Sequence, residues 1–161
     1  MATTSSGTAT VTLPNDTQIL ITREFNAPAH LVYRAWTTPE LVKRWWTAEL
    51  GEATIADIDL RVGGAWRYVM TTGQGDEVVA HGEYREIVPN ERIVSTEVYD
   101  VNYLDPGHHQ QTLNTFTFTE VDGRTTVTIL TQSQNNEELR TASFGMDGAM
   151  DELERVALSL R

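Results

Sequence analysis

The chain has 161 residues, 40% apolar and 22% charged, values of a globular protein with room for one well-buried core and too short for two ordinary domains. A formal net charge of −11 with no Lys/Arg cluster excludes nucleic acid as a partner, because a phosphate backbone would be repelled over most of the surface. Cysteine is absent, which removes disulfides, thiol nucleophiles and thiolate metal sites, and the apolar runs are too short and interrupted for a membrane span.

In chain order, Met1 to Thr12 has neither a basic n-region nor an apolar h-region, so no signal peptide and a cytoplasmic location are expected. Residues 1–16 read as a flexible tail with a short strand over Thr8 to Leu13, and residues 17–161 as a single domain. Gln18 to Phe25 alternates, with Ile19, Ile21, Arg23 and Phe25 on one face, and reads as the first main strand. Asn26-Ala27-Pro28 opens a helix carrying Leu31, Val32, Ala35 and Trp36 at helical spacing. Thr38, as N-cap, and Pro39, at the first helical position, open a second helix whose apolar side is Leu41, Val42, Trp45 and Trp46. Lys43-Arg44 alone does not make that helix a DNA reader.

Six further strands follow: Thr54 to Leu60, Ala65 to Thr71, Glu77 to Val88, Arg92 to Val101, Gln111 to Val121 and Thr125 to Gln132. Turn signals separate them, Gly63-Gly64, Gly73-Gln74-Gly75, Pro89-Asn90-Glu91 and Asp122-Gly123 among them. The last stretch, Asn136 to Arg161, places Met146, Ala149, Met150, Leu153, Val156, Ala157 and Leu160 on one helical face. Gly145 and Gly148 weaken its beginning, so a break is expected near Gly145. The fold class is therefore α+β: a curved antiparallel sheet with one apolar face, covered by the one element long enough to do so, the C-terminal helix.

Four segments carry a family resemblance. These are Ile21 to Pro28 continuing through Val32, Ala35-Trp36-Thr37, Pro39, Leu41 and Trp45-Trp46; Asp59 to Gly64; Gly82 to Val94; and Gly145-Met146, Gly148 and Leu153. Together they resemble the bacterial proteins related to the activator of the heat-shock chaperone ATPase, in the START-like (SRPBCC) superfamily. The resemblance spans about residues 17–160. It implies the helix-grip fold of the birch-pollen allergen: six or seven strands gripping the long helix, a cavity between them, and binding of a hydrophobic or aromatic small molecule. Chaperone activation is not expected to carry over, since the eukaryotic activators use a separate N-terminal domain that these 161 residues are not expected to include. Relatives often carry bulky aromatics where this chain has Ser95 and Glu97, which is expected to enlarge or polarise the cavity wall.

Trp66, Tyr68, Met70, Tyr99, Phe116, Phe118, Phe144, Met146 and Met150 are the candidate wall of that cavity, although a fully packed core would use the same residues. His81 and Glu97 lie on neighbouring strands and are the candidate acid/base pair if both face inward; Tyr84 and Arg85 take their place in the other register. His108-His109 beside Asp105 lacks a third ligand at a useful spacing, so no metal is expected. No phosphate loop or G-x-S-x-G elbow is present, and no cofactor is expected. Arg61 is expected to tie the helix pair to the sheet through an ion pair with a strand carboxylate. The leading expectation is binding of a hydrophobic small molecule without catalysis, by a monomer or homodimer. The alternatives are an enzyme of cyclase, dehydratase or hydrolase type using the same cavity, and a chaperone-interacting module.

Overall fold

The computed structural model describes residues 10–15, 17–47, 51–101, 111–132 and 146–160. In order they form β1 (Thr10–Asn15), β2 (Gln18–Phe25), α1 (Ala29–Thr37), α2 (Pro39–Trp45), β3 (Gly51–Ile58), β4 (Ala65–Thr72), β5 (Glu77–Val88), β6 (Arg92–Val101), β7 (Thr112–Val121), β8 (Arg124–Gln132) and α3 (Met146–Ser159). The eight strands make one antiparallel sheet in the order β1-β2-β8-β7-β6-β5-β4-β3. The short N-terminal strand adds an eighth to the expected six or seven. β2 pairs with β8 along its whole length, Gln18 opposite Gln132 and Phe25 opposite Thr125, so an early strand closes the late hairpins.

Local sequence accounts for the joints. Asp122 and Gly123 both take positive φ, 53° and 78°, as a tight two-residue hairpin requires, and Val121 pairs with Arg124 across it. Pro28 precedes α1 as its cap residue instead of entering the first turn. The free amide of Ala29 is satisfied by Glu120 Oε1 at 2.7 Å, a carboxylate from β7 at the positive end of the helix. Pro39 stands at the first position of α2, as expected, while the break expected near Gly145 lies outside the described residues.

The apolar periodicities meet in one core. Ile19, Ile21 and Phe25 of β2, Ile93 of β6, Phe118 of β7 and Val127 and Ile129 of β8 face Val32 and Trp36 of α1, Val42 and Trp45 of α2, and Ala149, Met150, Leu153, Val156 and Ala157 of α3. Each fully buried side chain of this size stabilises the fold by ~1.5–3 kcal/mol. Trp45, buried with its indole N–H donating to the Ala35 carbonyl at 2.8 Å, belongs to this core, and half-buried Trp46 packs against it; both serve packing within the chain.

The ion pair expected of Arg61 is made by Arg23. Arg61 pairs with Asp59 two residues away, both side chains exposed, and ties nothing distant together. Arg23 sits on the apolar face of β2, 3% exposed, with Nη2 at 2.9 Å from Asp151 Oδ1 and 3.4 Å from Glu154 Oε1 on α3. Glu154 is itself buried, and its Oε2 accepts the backbone N–H of Asn26 at 2.8 Å. The Arg23 guanidinium also lies over the Phe25 ring, 4.9 Å from its centroid. One charge cluster, buried at Arg23 and Glu154 and exposed at Asp151, thus pins the long helix to the sheet and to the start of the helix pair.

Candidate functional site

Strand periodicity decides what the concave face offers. Successive residues point to opposite faces, so from buried Phe118 the inward side chains of β7 are Phe116, Asn114 and Thr112. The ladders extend these positions into rows. One row is Ile93, Phe116, Ile129 and Ile21, wholly apolar. The next is Tyr84, Ser95, Asn114, Thr131 and Ile19, and the one beyond it contains Glu97 and Thr112. The inner face therefore changes from apolar to polar along the strands.

The polar residues form a directed chain. Thr131 Oγ1 donates to Asn114 Oδ1 at 2.7 Å, and Asn114 Nδ2 donates to Glu97 Oε1 at 3.1 Å. Asn114 and Ser95 are buried, while Glu97, Thr131, Thr112 and Phe116 are half-buried, so this end of the face is not sealed. An unpaired polar group here would cost ~1–3 kcal/mol, and the bonds to both neighbours hold the Asn114 amide in one orientation. Both donations run toward Glu97, whose Oε1 accepts from Asn114.

Aromatic rings flank it. Trp46, Tyr68 and Trp66 form a continuous run, with centroids 5.4 Å apart for Trp46–Tyr68 and 4.8 Å for Tyr68–Trp66. The Trp66 indole crosses β5 at Gly82 and donates from Nε1 to the Thr96 carbonyl at 3.2 Å. Only glycine allows this: a Cβ at position 82 would stand 1.8 Å from that carbonyl oxygen and 2.8 Å from the indole nitrogen. A second group links the helices to β7. Trp36 lies 5.0 Å from Phe116 and 5.8 Å from Phe118, and Tyr33 lies 5.7 Å from Phe118. Burial raises the pKa of Tyr33; it also raises that of Tyr84, with smaller contributions from Tyr33 and the Asp59 carboxylate, so both phenols stay protonated at ordinary pH.

The two proposed acid/base residues are separated. His81 is the ladder partner of exposed Arg67 on β4 and of Val98 on β6, which places it on the convex face; Glu97, adjacent to Val98, points to the concave one. No His81–Glu97 pair forms. Tyr84 faces inward and is buried, whereas Arg85 is exposed. Trp66, Tyr68, Met70, Phe118 and Met150 are buried and Phe116 is half-buried. Phe144 and the side chains of Tyr99 and Met146 lie outside the described residues, as do His108 and His109. Asn114, Thr131, Trp46 and Trp36 join the site without having been singled out. Asn114 was within reach, since it shares the parity of Phe116 and Phe118 in β7.

Two surface hollows are lined by described residues. One of about 550 Å³ lies between the β5–β6 turn, the end of β7 and Ala29, and one of about 370 Å³ lies around Arg67 and His81; neither includes a residue of α3. Among the described residues no helix is long and apolar enough to cross a membrane, and no three His, Asp or Glu side chains are grouped to hold a metal ion.

An antiparallel sheet around a C-terminal helix, with a helix pair after the first long strand, defines a helix-grip α+β protein, a fold that supports a ligand-binding type of module. The chain belongs to the family described as Activator of Hsp90 ATPase homolog 1-like protein, which matches residues 26–157. Solved structures share the fold. The crystal structure of protein CV1439 from Chromobacterium violaceum is 24% identical with a TM-score of 0.78, over 88% of this chain and 96% of that one. That of protein Ms6760 from Mycobacterium smegmatis is 24% identical with a TM-score of 0.75, over 95% and 97%. The solution structure of a Staphylococcus epidermidis protein is 22% identical with a TM-score of 0.78, over 94% and 95%. No curated protein matches the sequence.

Proposed function

We propose that the protein binds an apolar or aromatic small molecule against the concave face of its sheet, beneath the C-terminal helix, without catalysing a reaction on it. The observation that carries this reading is the half-open inward surface on which the Trp46–Tyr68–Trp66 rings adjoin the Thr131–Asn114–Glu97 chain. A ligand site needs this combination of apolar wall and few, fixed polar groups. A core built only for stability would be disfavoured by it, because apolar side chains at 95, 97 and 114 would bury more area at no desolvation cost. Binding would draw on apolar burial at ~25 cal/mol per Å², with the polar chain setting orientation. The separation of His81 from Glu97 leaves the enzymatic alternative without its acid/base pair.

Native mass spectrometry of the purified protein, alone and with phenethyl alcohol, tests the proposal together with tryptophan fluorescence. A one-to-one adduct and a saturable change in emission are expected, both weakened by Trp66→Ala. Unchanged spectra over the soluble range of the probe would remove it.

A further inference from the structure

Buried hydroxyls of the sheet are mostly committed within the chain. Thr96 Oγ1 accepts the Glu83 N–H at 3.0 Å, and Thr125 Oγ1 donates to the Ala27 carbonyl at 2.7 Å. Ser95 differs. It is 3% exposed, it stands between Tyr84 and Asn114 in the inward row, and its hydroxyl makes no hydrogen bond among the described residues. A buried hydroxyl in that state is disfavoured unless something outside the chain completes it.

Asn114 supplies a second donor. Its amide carries two N–H groups and one carbonyl oxygen. Thr131 on β8 holds Oδ1, which turns Nδ2 toward β6, where one N–H goes to Glu97 Oε1 at 3.1 Å. The other N–H has no acceptor among the described residues. Ser95 lies directly across the ladder from Asn114, on the strand that Nδ2 faces, and such partners are ~4.5–5.5 Å apart at Cα. The Trp66 indole ends at the carbonyl of Thr96, the next residue after Ser95, so the two donors adjoin an aromatic wall.

Two uncharged donors side by side fit one acceptor oxygen. A carbonyl oxygen can accept from both. An ammonium could use only the hydroxyl oxygen and would leave the amide N–H unpaired. A carboxylate would stand beside Glu97, in the field of a molecule of net charge −11 that repels it. We propose that Ser95 and Asn114 are the recognition point for the neutral carbonyl of a ligand with an apolar or aromatic body. This rests on the concave face being the binding site and names the class of ligand it selects.

Three probes of similar shape test it by calorimetric titration at neutral pH: acetophenone (a carbonyl), cumene (its hydrocarbon counterpart) and benzoate (an anion). Acetophenone is expected to bind, and benzoate to bind at least about tenfold more weakly. Ser95→Ala should weaken acetophenone by about threefold to tenfold, the size of one neutral hydrogen bond, with cumene moved by less than about twofold. The infrared carbonyl stretch of bound acetophenone should also rise in frequency in this variant, a signature of the lost donor that altered packing would not give. Acetophenone binding that Ser95→Ala leaves unaltered in affinity and carbonyl stretch overturns the assignment, with the hydroxyl then holding an ordered water only, and leaves the binding face standing. Benzoate binding as tightly as acetophenone, or cumene binding where acetophenone does not, has the same consequence. Failure of every probe to bind overturns both.

Discussion

Arg23 puts a full positive charge on the apolar face of a core strand, and its environment makes that charge a fastener. Guanidinium Nη2 reaches two carboxylates on α3, while Nε and Nη1 are buried beside the Phe25 ring with no hydrogen-bond partner among the described residues. Removing the cation takes the guanidinium charge away from buried Glu154. Arg23→Met should therefore lose ~3–5 kcal/mol in urea unfolding, the cost of breaking a buried pair from one side. Arg61→Met, in an exposed pair, should change stability by less than ~0.5 kcal/mol. Arg23 stood out in the sequence as the one charged residue among Ile19, Ile21 and Phe25, but its partners are 128 and 131 residues away and no local pattern pointed to them. The buried phenols give a second test at this scale. Tyr84 and Tyr33 have pKa values raised above the ordinary 10.0 by burial. Below pH 10 these phenols are neutral folded or unfolded. Above it the unfolded chain releases their protons and the folded chain holds them, so stability falls as pH rises, by up to ~1.4 kcal/mol per pH unit for each group. Tyr84→Phe should make the loss between about pH 10 and about pH 11 shallower by roughly 1 kcal/mol, measured by denaturant unfolding at each pH.

Strand and helix boundaries follow from local chemistry, and the elements lie close to where alternation and turn residues placed them. Which face each strand turned inward was harder to read. β5 carries apolar residues on both parities, Val78 and Ala80 on one and Val79 on the other, so its pattern could not orient His81. A register shift between Tyr84 and Glu86 lets both Tyr84 and Ile87 face the core side, a step invisible to a strict period of two. β7 was clearer, and the parity of Phe116 and Phe118 places Asn114 inside. Gly82 was noted only as part of a family pattern, yet three elements depend on it, since β4's indole crosses β5 there to bond β6. Gly82→Ala should cost at least ~2 kcal/mol, because the obstructing atom is backbone and the ladder must move. It should also shift tryptophan emission to the red as Trp66 loses its partner at Thr96.

Across the whole molecule the parts have separate tasks. The Ile19–Ile21–Phe25 side of the sheet, the helix pair and α3 are bound by apolar packing and the Arg23 cluster, and they hold the fold. The region of Glu97, Asn114, Trp66 and Tyr68 departs from an all-apolar interior, and such departures concentrate where a protein meets a ligand. The fold class and the burial of Trp66, Tyr68, Met70, Phe118 and Met150 were legible in the sequence because they are set by periodicity. The polar chain was not, because it joins three strands through contacts whose register the sequence leaves open. The most direct test of the binding face is an amide NMR titration with phenethyl alcohol. The account predicts saturable shift changes centred on Trp66, Ser95, Glu97, Asn114 and Thr131, with the convex positions Arg67, His81, Thr115 and Thr128 little affected. Changes centred on the convex face, or none at saturating probe, would contradict it.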